Sequence, residues 1–211
     1  MTPLRLAARD LYANSWRLVP LNALAGAILV GVAAVAIPVH AAVVLVVLAG
    51  PVLAALAHCA VTLVRTGNLR LADGVDGLRL HWRRGLVLAA FGSAFVLLAG
   101  VAFHVYAHSA LAWPLAFVVV YLVACLSVFQ AILWIVAIAE PKRPLTSCAS
   151  GALGLIVQRP RAAAGLGLAL LVVNLAGIAV AVMPFLTLTV AYSFVALAHF
   201  ALPRPIQEDV V

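Results

Sequence analysis

A single strongly polar stretch, from Arg65 to Arg84, separates two long apolar runs of this chain. It reads RTGNLRLADGVDGLRLHWRR and carries five arginines against Asp73 and Asp76. Apolar runs of about 20 residues are long enough to cross a bilayer as helices. Short arginine-rich loops beside such runs stay in the cytoplasm. The stretch therefore predicts a helical membrane protein whose polar loop lies on the cytoplasmic side.

Composition supports the same class, because 67% of the residues are hydrophobic and only 9% are charged, whereas soluble domains are about half apolar and about a quarter charged. The 211 residues leave room for one membrane domain and no separate soluble one. We predict an all-α polytopic bundle of six transmembrane helices in three hairpins, each preceded by a cytoplasmic surface helix. The predicted spans are about 19–39, 41–64, 85–107, 114–139, 162–182 and 185–202.

The basic residues give the orientation. Of 13, three precede the first span, five lie in the first large loop, four in the second and one in the tail. Because the outer turns carry none, both termini are predicted to be cytoplasmic. The formal charge of +7 thus comes from clusters flanking the membrane, and no nucleic-acid partner is predicted. Near-exclusive use of arginine, with abundant Ala, Val and Leu, points to a GC-rich bacterial genome and so to a bacterial cytoplasmic membrane.

The three predicted surface helices suggest an internal repeat. Their apolar stripes are Leu4, Ala8 and Leu11, then Leu71, Val75 and Leu78, then Cys148, Ala152 and Leu155. In this alignment Arg17, Arg84 and Arg161 fall at equivalent places. An alternative register, shifted by one, pairs Trp16 and Arg17 with Trp82 and Arg83. Cys59, Cys125 and Cys148 are dispersed along the chain, so no disulfide is predicted.

Several boundary residues carry a resemblance to a known family. From Gly50 the chain reads GPVLAALAHCAVTLVRTGNLRLADGVDGLRLHWRRGLVL. Pro51, the Arg65 to Gly67 loop opening, the Trp82 to Gly85 segment, and Arg159 with Pro160 resemble the YesL-like family of six-span bacterial membrane proteins of unknown function. The resemblance implies a six-span layout and an association with carbohydrate uptake systems, and it supplies no catalytic residues.

Motifs for catalysis are not found. All six acidic residues fall outside the predicted spans, and the sequence contains no HExxH and no GxSxG. We therefore predict neither an enzyme nor a cofactor.

Three histidines are weak candidates for zinc or copper ligands. His104 and His108 share a helix face, and His40 is expected at the same depth. The alternative, which we favour, is that they anchor the chain at the headgroups, because no fourth ligand lies outside the membrane.

Polar side chains within the spans suggest a second kind of site. His58, Gln130 and Asn174 lie on different predicted helices and are the best candidates to line a small polar cavity. The alternative is that such groups only hydrogen-bond between helices, at about 1 kcal/mol or less each.

Six arginines flank the spans and are expected to contact anionic lipid headgroups or to dock a partner. They are Arg17, Arg79, Arg83, Arg84, Arg159 and Arg161. With no catalytic motif, the sequence favours an accessory or interaction protein of a bacterial transport or envelope system, with a transporter or other membrane protein as partner. The alternative is a small-solute binding or transport protein resembling the capture subunit of a vitamin uptake system.

Overall fold

The computed structural model describes residues 2–36, 42–109, 111–179 and 183–202, with side-chain surroundings for 2–28, 47–109, 111–177 and 188–202. Within these residues the chain forms eight α-helices and no strand. The helices are α1 (Pro3–Ala13), α2 (Ser15–Ala36), α3 (Ala42–Thr66), α4 (Leu71–Ala107), α5 (Trp113–Ala139), α6 (Leu145–Gln158), α7 (Pro160–Ala179) and α8 (Met183–Ala201).

Four segments of these helices are long and apolar enough to cross a membrane. They are Val47–Thr66, Leu71–Ala107, Trp113–Ala139 and Pro160–Gly177. An all-helical fold with four such helices agrees with the predicted membrane class. The six predicted spans fall on α2, α3, α4, α5, α7 and α8. The last residues of the first and fifth predicted spans, 37–39 and 180–182, lie outside the described residues. The number of spans remains a prediction.

The α3–α4 hairpin departs from the predicted layout. The sequence predicted a separate surface helix before the span at 85–107, but α4 runs without a break from Leu71 to Ala107. Glycines allow its first half to pack directly on α3: a Cβ on Gly85 would lie 2.5 Å from the Gly50 carbonyl oxygen, and one on Gly77 would lie 2.9 Å from the Cβ of His58. At 1.5 Å per residue, α4 is longer than the roughly 30 Å hydrocarbon core, so part of it must extend beyond the bilayer.

Helix α1 packs along α8, although the sequence predicted that it lies flat on the membrane surface. The Tyr192 hydroxyl donates to the Leu4 carbonyl at 3.1 Å, and His199 Nε2 lies 2.8 Å from Asp10 Oδ2. Because the two contacts advance together along both helices, α1 and α8 run in the same direction.

The predicted apolar stripes are only partly the buried faces. On α6, Cys148 and Ala152 are completely buried, as a stripe facing the protein requires. On α1 the buried residue is Ala7, while Ala8 is exposed. Leu71 and Val75 are exposed as well, because α4 turns its glycines toward α3. On α1, Leu4 and Leu11 of the stripe do pack against the core, so the stripe matches the buried face on α6, in part on α1, and least on α4.

The tightly packed core lies at one end of the bundle. We call this the basic end: it is where α3 meets α4, α5 meets α6 and α6 meets α7. Every residue from 132 to 139 at the end of α5 is buried, together with Val195 to Ala198 on α8. The other halves of α4 and α5 expose large apolar side chains such as Leu98, Val101 and Phe117. A contiguous apolar surface of this kind marks contact with lipid or protein.

Candidate ligand-binding site

A cavity of about 350 Å³ lies among α3, α4, α5, α7 and α8. Most of its wall is apolar and aromatic, formed by residues that include Leu53, Phe91, Phe95, Trp134, Phe194 and Leu197. Four polar side chains also line it: Ser127, Gln130, Asn174 and Ser193. Small-molecule sites are typically apolar clefts of roughly 300–1,000 Å³ with a few polar groups that orient the ligand. The cavity falls at the lower end of that range.

Gln130 joins the wall of the cavity to α4. Its Nε2 donates to the Leu88 carbonyl at 2.8 Å, and the close approach is possible because α4 carries a glycine there: a Cβ on Gly92 would lie 3.3 Å from that nitrogen. Its Oε1 is buried and has no hydrogen-bond partner. A buried acceptor without a donor costs free energy, so Gln130 has an unused hydrogen-bonding capacity beside the cavity.

Asn174 and Ser193 connect α7 to α8 on the facing wall. Asn174 Nδ2 donates to Ser193 Oγ and to the Leu170 carbonyl, both at 2.8 Å, and Ser193 Oγ donates to the Thr189 carbonyl at 2.8 Å. Ser127 donates to the Val123 carbonyl of its own helix. Of the three residues proposed to line a polar cavity, the fold thus brings Gln130 and Asn174 to one site.

His58, the third candidate, lies elsewhere. Its Nδ1 is 3.2 Å from His81 Nε2 in the α3–α4 interface, and His81 is almost completely buried. His81 was not predicted from the sequence, because a histidine beside Trp82 and two arginines resembles a solvated loop residue. The available signal was that His81 lies four residues from both Gly77 and Gly85, which places all three residues on one helix face.

The outer histidines do not gather a metal site among the described residues. His104 and His108 stack at a ring-centroid distance of 4.4 Å, and His108 Nδ1 lies 2.8 Å from the His104 carbonyl. His40 lies outside the described residues. The described part of the chain contains no group of three or more His, Cys, Asp or Glu side chains that could hold a metal ion.

Arg84 has a structural role at the end of α5. Its guanidinium donates to the Ala137 carbonyl at 2.6 Å, the Glu140 carbonyl at 3.1 Å and the Arg143 carbonyl. Arg65 adds a bond to the Ala139 carbonyl at 3.2 Å. The last carbonyls of a helix lack intrahelical partners and carry partial negative charge, so both arginines cap α5. This differs from the docking or headgroup contact expected of Arg84.

Arg17 is also engaged within the protein. Its Nη1 donates to the Asn68 side chain and, at 2.6 Å, to the Leu69 carbonyl, and its guanidinium lies 4.4 Å from the Trp16 ring centroid. It therefore ties the start of α2 to the α3–α4 loop.

The other four arginines of the predicted set are exposed. Arg79, Arg83, Arg159 and Arg161 all lie on the surface, and Arg83 stacks on Trp82 with 5.1 Å between guanidinium carbon and ring centroid. These four remain accessible to headgroups or to a partner.

No protein-family model, curated protein or solved structure matches this chain. The resemblance to the YesL-like family therefore stays a prediction from the residues that carry it.

Proposed function

We propose that this chain is a multi-pass membrane protein that binds a small, largely apolar molecule between its helices. The observation that carries the proposal is the cavity of about 350 Å³ with the unpartnered Oε1 of Gln130 in its wall. A cavity of this size and lining matches the usual properties of small-molecule sites. The proposal involves binding or transport, with no catalytic step.

The proposed setting is a bacterial cytoplasmic membrane crossed six times, with both termini in the cytoplasm. Four helices long and apolar enough to span a bilayer support the setting, and the arginine-capped basic end supports the orientation. In this setting, the exposed apolar halves of α4 and α5 face lipid.

The proposal reverses the preference drawn from the sequence, where an accessory role came first. The sequence left open whether the polar side chains of the spans meet in one cavity, and it predicted six arginines available to headgroups or a partner. Gln130 and Asn174 now share a cavity, and Arg17 and Arg84 make internal hydrogen bonds. Both differences favour ligand binding.

The test is to identify what copurifies with the protein and whether it depends on the cavity. Ser127→Leu fills the cavity without removing an interhelical hydrogen bond, because Ser127 bonds only within α5. Ala124→Leu is the matched control on the exposed face of the same helix, outside the cavity lining. Solvent extraction and mass spectrometry are expected to find one small molecule per chain in the wild type and in Ala124→Leu, and much less in Ser127→Leu. Equal recovery from all three proteins would refute the site.

The exposure of Arg79, Arg83, Arg159 and Arg161 favours a second candidate, an accessory protein that docks a transporter subunit at the basic end. A mild-detergent pull-down from the native host tests it. Changing Arg79 and Arg83 to alanine should abolish recovery of a stoichiometric ATPase or permease. Arg84 is left intact, since its loss would disturb the end of α5. Recovery of the protein without a stoichiometric partner argues against docking.

A further inference from the structure

Building on the proposed binding function, we infer that the cavity takes its ligand sideways from the bilayer, and that this ligand is a neutral lipophilic molecule whose polar group donates a hydrogen bond to Gln130 Oε1. Three features of the cavity point to this ligand: the side on which the cavity opens, the polarity of the free group in its wall, and the depth of that group in the membrane.

The cavity opens on the flank of the bundle. Phe91 and Val96 on α4 and Ser127 on α5 line it and are exposed at the surface. Helix α7, on the other side of the opening, packs mainly on α8 and meets α5 only lightly. On α7, whose Asn174 lines the cavity, Leu171 and Leu175 are exposed. Since the described rim is apolar apart from the Ser127 hydroxyl, which is bonded within α5, a membrane-dissolved molecule reaches the cavity without passing through water.

The polar groups in the wall select a hydrogen-bond donor. Asn174 Nδ2, Ser193 Oγ and Ser127 Oγ already donate to protein acceptors. Gln130 Nε2 is likewise occupied by the Leu88 carbonyl, whereas Gln130 Oε1 is a buried acceptor with no partner. The terminal torsion of a glutamine is broad, which allows Oε1 to turn toward a ligand in the cavity. A hydroxyl or amide N–H of a ligand then satisfies it.

Charged ligands do not fit this wall. Among the described lining residues none is charged, and an ion placed there would lose its hydration without gaining a counter-charge. A carboxylate or phosphate would also place its hydrogen-bond acceptors against Gln130 Oε1, which is itself an acceptor. Neutral alcohols and amides remain.

Depth separates this ligand from a phospholipid headgroup. Gln130 lies about 14 Å along α5 from its last residue, Ala139, at 1.5 Å per residue. With the basic end at the membrane surface, the free acceptor lies near the middle of a hydrocarbon core about 30 Å thick. A phospholipid headgroup cannot reach this depth without burying its charge in the hydrocarbon core. The hydroxyl or amide therefore belongs to a molecule small enough to enter the cavity completely.

Two photoreactive probes test the inference on the full-length protein in phosphatidylcholine nanodiscs. One is a decanol that carries a diazirine on its chain, and the other is its methyl ether, which has the same shape but no donor. Peptide mapping after illumination measures labelling of the α5 segment around Gln130. We expect saturable labelling by the alcohol at a concentration roughly five- to tenfold lower than for the ether. Gln130→Met, which keeps the length of the side chain and removes the acceptor, should erase the difference.

The other outcomes count against the inference in distinct ways. Equal labelling by alcohol and ether would mean that the cavity accepts any lipid chain, and would overturn the donor requirement while leaving the binding site in place. Absence of saturable labelling by either probe would overturn both this inference and the proposed function. A difference between the probes that persists in Gln130→Met would show that another group accepts the hydrogen bond.

Discussion

The guanidinium of Arg84, on α4, donates a hydrogen bond of 2.6 Å to the carbonyl of Ala137, in the last turn of α5. An arginine that the sequence places at the edge of the first large loop therefore holds the end of a helix that begins almost thirty residues later. The same guanidinium reaches into the loop after α5. At the basic end of the bundle, one side chain thus links α4 to the end of α5 and to the loop that follows α5.

Arg84→Gln should destabilise the protein, because the α5 carbonyls lose a charged donor. Hydrogen bonds to charged groups contribute about 1.5–3 kcal/mol, which for a chain of this size corresponds to a fall of roughly 3–12 °C in the thermal midpoint. Arg83→Gln, on the exposed neighbouring residue, is the control and should change the midpoint by about 2 °C or less. Equal shifts in the two variants would show that Arg84 is only a topology signal.

The contact between Gly50 and Gly85 predicts strong sensitivity to a single methyl group. In Gly85→Ala the new Cβ would lie 2.5 Å from a backbone carbonyl oxygen, and overpacking of this kind typically costs 1–3 kcal/mol. Gly100→Ala, on the same helix with open space around it, should be neutral or slightly stabilising. The midpoint of thermal unfolding in detergent distinguishes the two, and an unaffected Gly85→Ala variant would be inconsistent with close packing of α3 on α4.

The pair formed by Asp10 and His199 should hold α1 against α8. Both side chains are largely buried, at 18% and 11% exposure, and their contact joins two ends of the chain. Asp10→Asn is expected to raise the rate of amide hydrogen exchange in α1 by roughly five- to thirtyfold. This factor corresponds to a loss of about 1–2 kcal/mol in the local stability of the helix. Asp76→Asn, at an exposed position on α4, serves as the control. Unchanged exchange in α1 would mean that other contacts dock this helix.

The six-span topology predicts which positions face the outside of the cell. In a background with Cys59, Cys125 and Cys148 changed to alanine, Ser109→Cys should react with a membrane-impermeant maleimide on intact cells. Ser150→Cys, on α6 at the basic end, should react only after permeabilisation. Labelling of Ser150→Cys on intact cells would invert the orientation, and labelling of both would require a different number of spans.

The positions of helices could be predicted well from the sequence where a long apolar run forms the whole helix. The span predicted at 114–139 lies on α5, Trp113–Ala139, and the span at 41–64 lies on α3, Ala42–Thr66. The prediction failed on α4, because the charged residues before Gly85 resemble a loop boundary even though no residue between Leu71 and Gly85 stops a helix. The packing of Gly77 and Gly85 on α3 favours an unbroken α4, and this contact between helices cannot be read from a linear pattern of residues.

The candidate site was predictable in part for a similar reason. Gln130 and Asn174 stand out as amides within apolar runs, where such groups are rare and usually serve contacts between helices. Whether they meet depends on how α5, α7 and α8 are arranged, which the sequence leaves open. Arg84 and Arg17 were interpreted as surface residues because an arginine at a span boundary serves topology and helix capping equally well. The Asp10 to His199 pair spans nearly the whole chain and gives no local signal.

Trp134 offers the most direct measurement of ligand binding, since its ring lines the cavity and lies one helical turn from Gln130. In a protein with Trp16, Trp82 and Trp113 changed to phenylalanine, Trp134 is the remaining indole. A long-chain alcohol brominated next to its hydroxyl carbon would place the bromine beside that ring when the hydroxyl reaches Gln130. Saturable quenching of Trp134 fluorescence is predicted, retained in Ala124→Leu and lost in Ser127→Leu. Quenching that rises linearly with probe concentration, to the same extent in all three proteins, would show that the alcohol only dissolves in the surrounding lipid and that the cavity binds no ligand.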